Sequence, residues 1–139
     1  SLIDISDPYH PREKQKIILG RRGTATAVST THHALTTLLR GNTLQVNLPI
    51  SLHEKTVQNY APEPHPSDYF GWTQDALHRL EIDVKNGKIS TLKPIVAKMN
   101  DVPEHAEYFY DTGWQHDRSV IIGGSTYYLK RDKIFTAAN

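Results

Sequence analysis

Histidines and carboxylates are the residues of this 139-residue chain whose chemistry would be easiest to recognise. Imidazole and carboxylate together ligate divalent metals and move protons. There are eight histidines, and His33, His116 and Asp117 are the candidate metal ligands, with His32 and His65 as further imidazoles. Adjacent strand residues point to opposite faces, so His32 and His33 cannot both reach one ion without a bulge. No His-Glu-x-x-His sequence is present, and satisfied or exposed imidazoles are the competing reading. Glu54, Glu63, Glu104, Glu107 and Asp111 fall mostly in stretches of low periodicity. Two of them could pair as acid and base, as in a glycosidase, or all could form a solvated face. A serine nucleophile has no Gly-x-Ser-x-Gly elbow, and Gly20 to Gly23 lacks the Lys-Ser/Thr and following helix of a phosphate cradle. This inventory assigns no catalytic residue and implies no cofactor.

Aromatic side chains offer a second kind of chemistry, the stacking of sugars or peptides. Tyr69, Phe70 and Trp72 flank one long irregular stretch, and Tyr108, Phe109, Tyr110 and Trp114 flank another. Tyr69, Trp72 and Trp114 are the candidate binding residues. Aromatics at such places also wedge between packed sheets, and that alternative stands beside the first. The densest basic group, Arg12, Lys14, Lys16, Arg21 and Arg22, is interrupted by Glu13 and reads as a solvated edge that discourages aggregation.

Composition bounds what these residues can belong to. Sixteen Lys+Arg against fifteen Asp+Glu leave a formal net charge of +1, so no whole-chain field recruits nucleic acid or an anionic membrane. Hydrophobic residues are 37% and charged residues 22%, a folded rather than a disordered balance, and no run of about 20 apolar residues predicts a membrane span. The absence of cysteine removes disulfides, thiolate metal sites and a cysteine nucleophile. No basic start followed by an apolar run marks a signal peptide. Ser1 to Ser6 already alternates like a strand, so the chain is expected to start inside a folded unit.

The elements that must position these residues are strands. Apolar residues alternate over short runs broken by Gly, Asn, Asp and Pro, which predicts nine strands and no helix. The runs are Leu2 to Ser6, Lys14 to Leu19, Ala34 to Leu39, Thr43 to Ile50, Leu77 to Val84, Lys88 to Val96, Ser119 to Ile122, Thr126 to Leu129 and Lys133 to Thr136. Arg40-Gly41-Asn42 and Asn86-Gly87 supply hairpin turns.

Two repeats order the strands. Ile3-Asp4-Ile5 matches Ile82-Asp83-Val84 at a separation of 79, and Gly41-Asn42-Thr43-Leu44-Gln45-Val46 matches Gly124-Ser125-Thr126-Tyr127-Tyr128-Leu129 at a separation of 83. The first repeat resembles the outer two strands of a unit and the second its inner two. Four-stranded antiparallel units repeated along a chain are the blades of a β-propeller, and the competing architecture is a small sandwich. The expected fold is therefore all-β, a partial propeller of about two to three four-stranded blades. Residues 1–23 would form the outer strands of a partial blade, 33–97 a complete blade with an inserted loop at 53–71, and 117–139 a partial last blade. Pro62, Pro64 and Pro66 hold that insertion extended.

The same residues carry a family resemblance. Ile3-Asp4-Ile5-Ser6-Asp7-Pro8, then Pro11, Ile18-Leu19-Gly20, Arg22-Gly23, His33-Ala34 and Leu48-Pro49-Ile50 occur in that order. Tyr108-Phe109-Tyr110, Trp114, Asp117-Arg118-Ser119-Val120-Ile121-Ile122-Gly123 and Tyr127-Tyr128 follow. This series is similar to the bacterial and archaeal secreted proteins with a C-terminal β-propeller domain. Gly20-Arg21-Arg22-Gly23 lacks the acidic residue of the family pattern, and Thr31-His32-His33-Ala34 stands in place of Asp-His-Lys-Ala. The resemblance implies the C-terminal portion of a longer propeller, secreted or at the cell envelope. Its function would be non-catalytic binding or scaffolding of a protein or saccharide ligand. The alternatives are a hydrolase or lyase using His and acidic loop residues at the central channel, or a metal-binding propeller. Partners are the remaining blades or self-association through open strand edges. A closed ring would draw the missing strand of the last blade from the N-terminal end of the domain.

Overall fold

The computed structural model describes residues 1–56, 65, 67–98 and 116–138. Ten strands lie among them: β1 (Leu2–Asp4), β2 (Arg12–Gln15), β3 (Ala25–Thr26), β4 (Thr36–Arg40), β5 (Thr43–Lys55), β6 (Gly71–Asp83), β7 (Lys88–Val96), β8 (Arg118–Ile122), β9 (Ser125–Lys130) and β10 (Lys133–Ala138). Two short 3-10 turns, Ala27–Ser29 and His32–Ala34, precede β4. The chain is all-β, and its strands form three antiparallel sheets consistent with a partial propeller.

The first sheet pairs β1 with β2, the second runs β3-β5-β6-β7 with β4 also on β5, and the third runs β10-β9-β8. Several strands depart from the sequence expectation. β5 continues past Ile50 to Lys55, inside the expected loop at 53–71, and β6 begins at Gly71 rather than Leu77, because the two strands pair along their whole length from Thr43 opposite Asp83 to Lys55 opposite Gly71. The second strand lies at Arg12–Gln15 rather than from Lys14 to Leu19, because β1 is three residues long and its register, Asp4 opposite Arg12 and Leu2 opposite Gln15, is exhausted at Gln15. Ala25–Thr26 forms an unexpected short strand, paired with Ser51 and Ile50 of β5. Its two residues are too few to show an alternation.

Hairpin turns form where positive φ was demanded. Gly87 sits at φ +63° after a turn closed by the Asp83 carboxylate, which accepts from the Lys85 and Asn86 amides at 3.0 Å each. The Asn86 amide bond, first among its hydrogen bonds, holds the Asp83 carboxyl below its usual range.

Alternation on β5 and β6 gives the second sheet two different faces. Gln45, Asn47, Asp75, Leu77 and Arg79 turn toward the third sheet, where Leu77, Ile95, Ala97 and Tyr128 form the buried cluster and Phe135 and Ala137 pack against it. Leu44 and Ile82 turn toward β1 and line, with Leu2, Ile5 and Val84, a groove of about 330 Å³. The first two sheets are further joined by Gln15. Its side-chain amide donates to the Ile89 carbonyl at 2.9 Å and accepts from the Ile89 amide at 2.7 Å. One side chain thus satisfies both backbone groups of a buried residue on β7. Gln15→Ala leaves them without that partner and is expected to lower unfolding free energy by about 1–2 kcal/mol, read from urea titrations.

The second and third sheets meet along β4 and β8. Thr36 Oγ1 donates to the Ser119 carbonyl at 2.7 Å, and Arg40 Nη2 donates to the Gly123 carbonyl at 2.7 Å. Both pairs are 83 residues apart, so the register between the two strands is constant. The two strands therefore run side by side in the same direction, as the innermost strands of neighbouring blades do.

Candidate functional site: a buried charge clamp and an arginine-aromatic shelf

Lys130 follows Tyr128 by two residues on β9, so both side chains enter the space between the second and third sheets. Lys130 is only 1% exposed. A buried ammonium is costly unless paired, and Nζ lies 3.1 Å from Asp75 Oδ2 on β6 and 3.1 Å from Asp117 Oδ2 just ahead of β8. Tyr128 donates its hydroxyl to Asp117 Oδ2 at 2.6 Å, and Trp72 donates its indole N–H to Asp75 Oδ1 at 3.1 Å. Asp117 Oδ1 is buried with no hydrogen-bond partner. One cation cannot neutralise two buried carboxylates. Burial, assisted by the charge of Asp75, pushes the Asp117 carboxyl above its usual range against the pull of Tyr128 and Lys130.

This arrangement places the sequence candidates. Among the described residues no group of three or more His, Asp or Glu side chains could hold a metal ion, so His33, His116 and Asp117 do not assemble into a centre. His33 is exposed in the 3-10 turn, its ring 4.0 Å from that of His32, and His116 is exposed while its neighbour Asp117 turns inward. Trp72 is half-buried and oriented by Asp75. Trp114 lies outside the described residues, as do Glu63, Glu104, Glu107, Asp111, Tyr108, Phe109 and Tyr110. Sequence reasoning named Asp117 without Lys130, Asp75 or Tyr128. The signal was a lysine in phase with Thr126 and Tyr128 on a strand whose inward face is otherwise uncharged.

A second cluster occupies the end of the sheets where β5 stops and β6 begins. The Phe70 amide donates to the Arg22 carbonyl at 2.9 Å, and the Arg21 amide to the His53 carbonyl at 2.8 Å. His53 Nδ1 donates to the Phe70 carbonyl at 2.8 Å, so three segments are tied together by backbone and imidazole. Gly23 sits at φ +110°, and a Cβ there would come within 2.9 Å of the His53 ring, so only glycine lets the loop pack this closely. On this frame the Arg21 guanidinium lies 5.3 Å from the centre of the Phe70 ring and that of Arg22 lies 4.6 Å from the centre of Tyr69. Both arginines are exposed, and Tyr69 is 58% exposed. No carboxylate among the described residues pairs with either guanidinium.

The same end of the second sheet carries Asp75, opposite Ser51 near the close of β5, and the Ala97 amide that donates to the Asp75 carbonyl. The clamp and the shelf thus share the end from which the long connections leave. The opposite end carries the tight turns at 41–42, 84–87 and 123–124.

The family model described as Beta propeller domain matches residues 1–138. No curated protein and no solved structure matches the chain. No helix among the described residues is long and apolar enough to cross a membrane.

Proposed function

This chain belongs to the β-propeller domain family, and from that premise we propose that it is a non-catalytic binding or scaffold module of a secreted or envelope-associated propeller protein. The observation that carries the reading is the shelf of Arg21, Arg22, Tyr69 and Phe70. It is fixed from behind by His53 and Gly23, open in front, and its charges are unmet by described carboxylates. The most buried charged cluster supports the same reading in another way. Lys130, Asp75 and Asp117 join two sheets and are enclosed by them, which suits rigidity better than turnover. Loops on a rigid β scaffold are where recognition is placed, and a protein or saccharide ligand would meet this end first.

The test is retention on immobilised panels of peptides and saccharides. Wild type is expected to be retained by a subset, and Tyr69→Ala to lose that retention while its unfolding midpoint stays put. Absence of any retained ligand, or retention indifferent to Tyr69, overturns the proposal.

A further inference from the structure

We infer that the Arg21/Arg22 shelf is a receptor for the carboxylates of an acidic polysaccharide. The inference rests on the binding-module reading and adds the chemistry of the ligand. A guanidinium presents five N–H donors in a planar fork, matched in geometry to a carboxylate. Laid against a ring, it keeps its outer edge and its charge available while losing little further freedom on binding. Two such groups on consecutive residues, over consecutive rings, make a pre-organised cationic surface with an aromatic floor.

With Lys55, the two guanidiniums outnumber the carboxylates of Asp68 and Glu54 at this end of the sheets by one charge. Lys55 is exposed at the end of β5, opposite Gly71. Asp68 is occupied by the His65 amide at 2.7 Å, and Glu54 is exposed beside Lys55 with its own amide bonded to Thr73 Oγ1. Neither carboxylate pairs with Arg21 or Arg22.

An acidic sugar chain fits this combination better than a nucleic acid does. A pyranose offers an apolar C–H face for the exposed Tyr69 ring together with an in-plane carboxylate for the fork. A duplex or single strand would demand a basic groove several phosphates long. The whole chain carries a net charge of only +1.

Calorimetric titration of the full chain with oligogalacturonate, with its fully methyl-esterified counterpart, and with single-stranded DNA of equal charge separates the possibilities. Binding to oligogalacturonate is expected, falling with added salt and at least about tenfold weaker for the methyl ester. Arg21→Gln and Arg22→Gln are each expected to weaken binding about tenfold, the cost of one charge-assisted fork. Arg22→Lys keeps the charge and loses the planar fork. It is expected to fall between wild type and Arg22→Gln, a graded result that a folding defect would not produce. Equal affinity for the ester overturns the carboxylate assignment and leaves the binding-module reading standing. Equal or tighter affinity for DNA overturns the saccharide assignment. No binding to any of the three overturns the assignment, and the panel retention test then decides the broader reading separately.

Discussion

Replacing Lys130 with methionine lowers the unfolding free energy by about 3–5 kcal/mol, the cost of leaving buried carboxylates without their cation. Asp75 and Asp117 are both buried, and Lys130 Nζ is 3.1 Å from each. Without it, two like charges face one another between sheets that exclude water. The triple variant Lys130→Met, Asp75→Asn, Asp117→Asn removes all three charges and is expected to recover most of the loss. If the single and triple variants are equally unstable in urea, the loss comes from packing and not from charge. The clamp also sets a pH dependence. The Asp117 carboxyl is raised by burial, so the folded protein retains a proton that the unfolded chain releases. Its contribution to stability is fully present below the ordinary carboxylate pKa of 3.8 and is lost as pH rises through the raised folded-state value. Asp117→Asn should remove that decline while leaving the rest of the profile in place.

Truncating Leu77 to alanine is expected to cost about 2–5 kcal/mol. Leu77 is fully buried on β6, where it meets Ile95, Ala97 and Tyr128, with Phe135 and Ala137 packed against the same cluster from β10. The cavity therefore opens at the joint between two sheets and not within one. Leu39→Ala is the matched control. Leu39 is 59% exposed on β4, and its loss should move the unfolding midpoint little. Comparable losses at both positions would mean that the second and third sheets do not share a core.

Much of the architecture was legible because its signal is local. Alternation, Asn86-Gly87 and the repeated Gly-x-Thr hairpins specify strands and turns from a few adjacent residues. The second repeat was legible only to within one residue: the glycines that open the two hairpins, at φ +58° and +61°, are Gly41 and Gly123, 82 apart, where the sequence matched Gly41 with Gly124. Departures came where pairing depends on distant partners. Ile17, Ile18 and Leu19 look like a strand, yet β1 offers nothing beyond Gln15 for them to pair with. Ala25–Thr26 looks like nothing and pairs because Ile50 and Ser51 lie beside it.

The candidate site was less legible for the same reason. Asp117 drew notice through a neighbouring histidine, but its partners are 42 residues upstream and 13 downstream, and only folding makes them a clamp. Arg21 and Arg22 read as an ordinary solvated edge because the rings beneath them, Phe70 and Tyr69, arrive from the far side of a long connection. Type and spacing along the chain carry no information about that meeting.

At the seam between β4 and β8, the side chains that donate to main-chain oxygens, Thr36 and Arg40, both lie on β4. Their acceptors, the carbonyls of Ser119 and Gly123, are main-chain oxygens that every residue possesses. A substitution at Ser119 therefore leaves the acceptor of Thr36 in place. The joint depends on the identity of two residues of β4 and tolerates change in the side chain across from Thr36, so the two faces of the seam are under unequal chemical constraint.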